Sequence, residues 1–159
     1  MASGDVLASW EAGAGLPPTS AFAALVRRNN HLVAAFDAAA DESIDFEKLL
    51  RNYAAGGITA TIVWMADTAV SGTVRWEGLF ERHDTALDLD ADSFAASQSA
   101  GGTAPGTAGF PVYTTLTFTN SQIDGLLNTE HFRFRLRRDA DGTTGTDDMT
   151  GDAHLLAVE

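Results

Sequence analysis

Glu130-His131-Phe132-Arg133-Phe134-Arg135-Leu136-Arg137-Arg138 is the stretch that decides the fold class. Phe132, Phe134 and Leu136 alternate with Arg133, Arg135 and Arg137. Successive side chains of an extended chain leave on opposite faces, so this pattern sorts into one apolar and one charged side. A helix would scatter the arginines around its circumference. The segment is a strand with its phenylalanines inward and its arginines outward, the habit of antiparallel sheets. The same alternation continues outward along the chain. In Gly57–Ala66 the residues Ile58, Ala60, Ile62 and Trp64 share one face. In Thr73–Arg82 the residues Val74, Trp76, Gly78 and Phe80 point one way, and Arg75, Glu77 and Glu81 the other. The polar turn Asp67–Gly72 joins these two strands as a hairpin.

His31–Asp37, Val112–Thr119 and Ala153–Val158 complete the clear strands. Glu42–Leu50 (ESIDFEKLL) fits strand or helix spacing, and strand is preferred because the neighbouring elements need a partner. Ser121–Leu127 starts with an N-cap residue and predicts a short helix broken at Gly125. Asp84–Ala100 reads as an acidic, then small-residue connection, and Gly101–Gly109 (GGTAPGTAG) as the most loop-like stretch. Residues 1–30 read as an extended N-terminal arm, broken by Gly4, Gly13 and Gly15 and stiffened at Pro17-Pro18. Within it, Ala21–Val26 suits either a short helix or a strand. Residues 31–159 form the body. Seventeen threonines, fifteen glycines and a single lysine, Lys48, also lean toward β structure. About seven or eight strands with almost no helix bury themselves as a sandwich or barrel, and the expected fold is an all-β, jelly-roll-type β-sandwich. An immunoglobulin-like sandwich is the alternative topology, without a cysteine pair to support it.

Ten basic and 22 acidic residues give a formal net charge of −12. Phosphate backbones and anionic lipid repel such a body, which argues against nucleic-acid and membrane-surface binding. The chain has no cysteine, so disulfides, Cys-ligated zinc and thiol nucleophiles are excluded. No apolar run approaches the ~18–20 residues that cross a bilayer. The stretch MASGDVLASWEAG lacks a basic region and an apolar segment, so no secretory signal is expected.

Few residues carry recognisable chemistry. Asp88-x-Asp90-x-Asp92 matches the first ligands of a calcium loop, but Ser93 stands where a glycine is needed and Ser99 where the bidentate glutamate is needed. Residues 139–152 (DADGTTGTDDMTGD) are a second acidic cluster, which serves equally as a set of solvated turns. His31, His83, His131 and His154 have no paired metal spacing, although His131 and His154 are candidates for strand neighbours. No nucleophile elbow or phosphate loop is present. Glu77 and Glu81 suit glycoside hydrolysis or, more simply, pairing with the arginine stripe across strands. The expectation is a chain without catalytic residues, cofactor or metal. Arginine is favoured at protein interfaces, which makes Arg133, Arg135 and Arg137 partner-binding candidates. In the arm, Trp10, Leu16, Pro17, Pro18 and Phe22 are the corresponding candidates. Trp10 has nothing local to pack on, so it folds back on its own body or anchors in another subunit.

Five phrases carry a resemblance: Gly57–Trp64, Asp90-Ala91-Asp92-Ser93-Phe94, Tyr113–Asn120, Phe132–Asp139 and Asp147–Ala153. Together they resemble a family of small structural proteins encoded by tailed bacteriophages and prophages, over Phe36 to the C-terminus. The resemblance implies a jelly-roll virion component, above all a capsid decoration (cement) protein. Such a protein sits on the capsid exterior, binds the major capsid protein and commonly forms a homotrimer. It supplies no catalytic residue. Related domains also occur in tail fibres, necks and receptor-binding tips. There, loops 101–109 and 139–152 would contact a carbohydrate or a surface protein. A sugar-active enzyme using Glu77, Glu81 or the Asp loops is the third reading.

Overall fold

The computed structural model describes residues 5–159, and within them the chain is all-β. Ten strands follow in order: β1 (Trp10–Glu11), β2 (Ala24–Arg28), β3 (His31–Phe36), β4 (Glu42–Leu49) and β5 (Ile58–Ala66). They continue with β6 (Thr73–His83), β7 (Gln98–Thr103), β8 (Val112–Phe118), β9 (His131–Arg138) and β10 (Ala153–Val158). One sheet has the order β2-β3-β10-β5-β8, with β1 added to β10, and the other the order β4-β9-β6-β7. The pairing is nested and antiparallel: β3 with β10, β4 with β9, β5 with β8, β6 with β7. Two antiparallel sheets packed on each other in this way make a β-sandwich.

The inward rows are those the alternation predicts. Ile62, Trp64, Leu116 and Phe118 from one sheet meet Val74, Trp76, Phe134 and Leu136 from the other, all at most 1% exposed. Edge-on ring pairs knit the layers: Phe36–Trp76 at 5.0 Å, Trp64–Trp76 at 5.9 Å and Phe80–Phe118 at 4.9 Å. Each such pair adds about 0.5–1.5 kcal/mol to simple area burial. The buried Trp64 indole N–H donates to Thr114 Oγ1 at 2.9 Å, so a threonine on an inward face has a physical purpose. Gly78 keeps the sheets in contact, since a Cβ there would stand 2.8 Å from the Phe118 ring and 2.9 Å from Leu116.

The hairpin expected of β5 and β6 does not form, because the turn Asp67–Gly72 carries the chain from one sheet to the other, and two segments also depart from the sequence expectation. Gln98–Thr103 is a strand, β7, and not a loop. Its partner β6 supplies the register, and Gly102 is required because a Cβ would run into Thr114 Oγ1 and stand 2.9 Å from the Trp64 ring. Small residues under a large indole carry no alternation to read. The helix expected over Ser121–Leu127 is only a 3₁₀ turn, Asn120–Ile123, capped by Thr119 and not by Ser121. Asp124 and Gly125 then turn left-handed, at φ 62° and 63°, which ends it.

The described part of the arm, with one 3₁₀ turn at Ala12–Ala14, lies along the body; residues 1–4 fall outside the described residues. Trp10 settles on its own chain, 5.5 Å from Phe46 and 5.9 Å from Phe132 by ring centroids. Ala12 is fully buried. Leu16 N–H donates to Asp45 C=O at 2.8 Å, and Asp45 N–H returns a bond to Leu16 C=O at 2.9 Å. Ser43 is bonded in the same way to Ala21 and Ala23. Residues 10–23 thus close the outer edge of β4. The boundary expected at residue 30 falls inside a hairpin, because β2 pairs with β3 through the turn Asn29-Asn30.

Candidate interaction surface

The outer face of the β4-β9-β6-β7 sheet carries the arginine stripe, and the register explains its partners. Arg135 stands opposite Asp45 on β4, while Glu81 and Glu77 on β6 stand opposite Arg133 and Arg137. Each arginine therefore meets one carboxylate across a strand boundary. Arg135 donates from Nε to Asp45 Oδ1 at 2.7 Å and from Nη2 to Oδ2 at 2.8 Å. These bonds hold the Arg135 pKa above its ordinary value against the opposing effect of burial. Arg133 Nε donates to Glu81 Oε2 at 2.6 Å, and Arg137 pairs with Glu77 and, at 3.7 Å, with Asp41. Glu77 and Glu81 do face outward as expected. They are nevertheless only 4% and 1% exposed, because the longer arginines lie over them. The Phe94 ring covers two of those arginines, with its centroid 4.7 Å from the Arg133 guanidinium carbon and 4.6 Å from that of Arg135.

Four carboxylates, Asp45, Glu81, Glu77 and Asp41, stand against the three arginines, so the stripe is a rigid polar surface and not a cationic one. Beside it the arm loop rises away from β4 and leaves a groove of about 550 Å³. Leu16, Pro17 and Pro18 form one wall, and Asp45, Arg133 and Arg135 lie in its floor. The structure thus brings together five of the predicted contact residues from segments more than a hundred positions apart: Leu16, Pro17, Pro18, Arg133 and Arg135. Phe22 is on the same arm, bridged to β4 at Ser43 and 46% exposed. Arg137 sits at the far end of the ladder. Trp10 is elsewhere, with its indole N–H donating to Glu47 C=O at 3.3 Å. Asp45 and Phe94 were not singled out from the sequence. The alternation Ser43, Asp45, Glu47 pointed to the first, whereas Phe94 lies in a connection and left no periodic signal.

The acidic loops act as structural locks. Asp147 accepts from Arg138 Nε at 2.9 Å and Nη2 at 2.8 Å, and Arg138 is fully buried. Burial alone would push the Asp139 carboxyl up, but bonds from Thr144 and Thr143 outweigh it and bring it down to about 2. Asp139, Asp41 and Asp141 place oxygens within 4.8 Å of one another, yet both Asp139 oxygens already accept from the Thr143 and Thr144 hydroxyls. In the other loop Asp88 Oδ1 accepts the Asp90 N–H at 3.1 Å, a local turn. His131 faces His83 in register, whereas His154 belongs to the other sheet, so the expected His131–His154 neighbourhood does not form. Burial and then the nearby Arg28 keep the His154 pKa below its ordinary value, against the pull of Asp67 and Asp152.

Fold and surface define a class: a two-layer antiparallel sandwich of nested strand pairs, whose arm walls a charge-balanced groove. No protein-family model matches the chain, and no curated protein matches it.

Proposed function

We propose that the protein is a structural component that works by adhesion: a decoration protein on the exterior of a bacteriophage shell, bound to the major capsid protein. One observation carries the reading. Contact residues expected from distant parts of the chain meet at one groove, with Leu16 and Phe22 standing 51% and 46% exposed beside it. A rigid floor and an apolar rim suit the contact of two preformed protein surfaces, where Arg and aromatic anchors dominate the energy. The stripe is already neutralised, so affinity comes from the rim and from spare guanidinium donors, not from net charge. The resemblance over Phe36 to the C-terminus adds the phage shell as the setting. A tail or receptor-binding module is the second reading. It is favoured by Phe110 and Tyr113, which stand 60% and 68% exposed around the end of the loop that follows β7.

The test is binding to purified shells that lack the protein. Deleting the arm would also strip Trp10 from Phe46 and Phe132, so point changes are cleaner. Leu16→Glu combined with Phe22→Glu should lower shell binding at least tenfold with an unchanged melting curve. Unchanged binding would refute the groove as the contact. Loss on Tyr113→Ser, with shell binding intact in the groove variant, would favour the second reading.

A further inference from the structure

Three of the sheet ends are closed. The arm covers β4, while β7 and β8 lie against each other where the two sheets meet. The fourth end, β2, is open. Asn29 and Asn30, at φ 45° and 67°, make a two-residue turn, and Arg28 faces His31 across it. From such a turn the hydrogen-bonded pairs are Arg28–His31, Val26–Val33 and Ala24–Ala35. The N–H and C=O of Leu25 and Arg27 therefore point away from β3, and no described residue bonds to them. The surroundings are apolar. Among the described residues, Leu25, Val26 and Leu32 on this hairpin are large hydrophobic residues left 36–44% exposed. An open edge of this kind is a template for a further strand.

We propose that β2 pairs antiparallel with β2 of a second copy, about a two-fold axis at Val26. Register and charge select both the occupant and the axis. An axis at Leu25 would need the Ala23 N–H, which already donates to Ser43 C=O at 3.0 Å. An axis at Arg27 would set two guanidinium groups opposite each other, a repulsive pair. The axis at Val26 joins Leu25 to Arg27 of the other copy twice over. It satisfies all four outward groups of each strand and puts every arginine opposite an apolar residue. The stem of Arg27 then lies along Leu25 of the second copy. The contact is isologous and closes at two copies. It leaves the groove and the outer face of the β4-β9-β6-β7 sheet free, and it does not depend on the shell reading.

The chain has no cysteine, so a single introduced one reports only contacts between copies. At Val26 the two Cα atoms would lie ~4.5 Å apart, as in a non-hydrogen-bonded pair, which is within disulfide reach. At Ala24, on the same face, the two copies would be separated by about four residues of strand, roughly 13 Å, which is beyond reach. Under mild oxidation Val26→Cys should form a covalent dimer at least tenfold faster than Ala24→Cys. Adding Leu25→Pro, which removes one outward N–H and none that faces β3, should slow that cross-link to the Ala24→Cys rate. Equal rates for the two cysteines, or a Val26→Cys protein that stays monomeric, would overturn the proposal, whatever the shell-binding result. The cysteine pair alone decides if the proline variant does not fold. Dimerisation of the parent chain in sedimentation, lost in folded Leu25→Pro, is the confirming measurement without cross-linking.

Discussion

Removing the Asp147 carboxylate should strand a buried charge. Arg138 is 0% exposed, and among the described residues Asp147 is the one carboxylate that pairs with it. Deleting one partner of a buried pair costs about 3–5 kcal/mol, because the remaining ion keeps its desolvation penalty. Arg138 would still donate to Met149 C=O at 2.8 Å and Gly151 C=O at 2.9 Å, which favours the lower end. Asp147 also accepts the Arg75 backbone N–H at 2.9 Å, and losing that bond adds about 1 kcal/mol. Asp147→Ala should therefore cost about 4 kcal/mol. That is a large part of the ~5–15 kcal/mol that holds a domain together. For a chain of this length it corresponds to a fall in Tm of roughly 8–16 °C. Urea unfolding followed by the fluorescence of the buried Trp64 and Trp76 reads the loss directly. Asp148→Ala is the comparison. Asp148 accepts the Thr73 N–H at 2.6 Å at an exposed site, so its loss should cost about 1 kcal/mol. A cost below about 1 kcal/mol for Asp147→Ala would refute the view that residues 139–152 are a lock built around Arg138.

Other expectations follow from the same contacts. Glu81→Gln weakens the charge-assisted bonds to Arg133 and should lower stability by about 1.5–3 kcal/mol in thermal melts; no change would mean the ladder is ornamental. Gly78→Ala pushes a methyl into Phe118, Leu116 and Phe134 and should cost about 1–3 kcal/mol, read by urea midpoint. Stability should also fall on acidification in two stages. His154 has a pKa held below 6.5, so its contribution is complete above 6.5 and is lost as pH drops below it; His154→Gln should flatten this first stage. Asp139 has a pKa lowered from 3.8 to about 2, so its contribution, on the order of 2 kcal/mol, is complete above 3.8 and is lost toward pH 2. Asp139→Asn should remove that second stage in melting curves recorded between pH 4 and pH 2.

Strands whose two faces differ in polarity are legible in the sequence. β5, β6, β8 and β9 each alternate, and the inward residues at their centres, such as Ile62, Trp76, Leu116 and Phe134, are buried. β7 was not legible, because Ser99, Ala100, Gly101 and Gly102 offer no contrast between faces and their placement comes from Trp64 and Thr114 across the sandwich. The groove was half legible. Arginine alternation marked its floor and Pro17-Pro18 its wall, but only the register of β4 against β9 puts Asp45 beside Arg135. Burial of Glu77 and Glu81 was hidden for a related reason: alternation tells which way a side chain points, not what lies over it. Trp10 had two open destinations in the sequence. Phe46 and Phe132, distant in the chain, decide between them.

The central claim is that this sandwich is a rigid adhesive piece whose arm-side groove faces a larger shell. Electron cryo-microscopy of intact particles containing the protein tests it most directly. The account predicts density for the sandwich on the outside of the shell, with Leu16, Phe22 and the Arg133–Arg135 floor turned toward the major shell protein. Density confined to the tail, or a shell-bound sandwich whose arm-side groove opens to solvent, would contradict it.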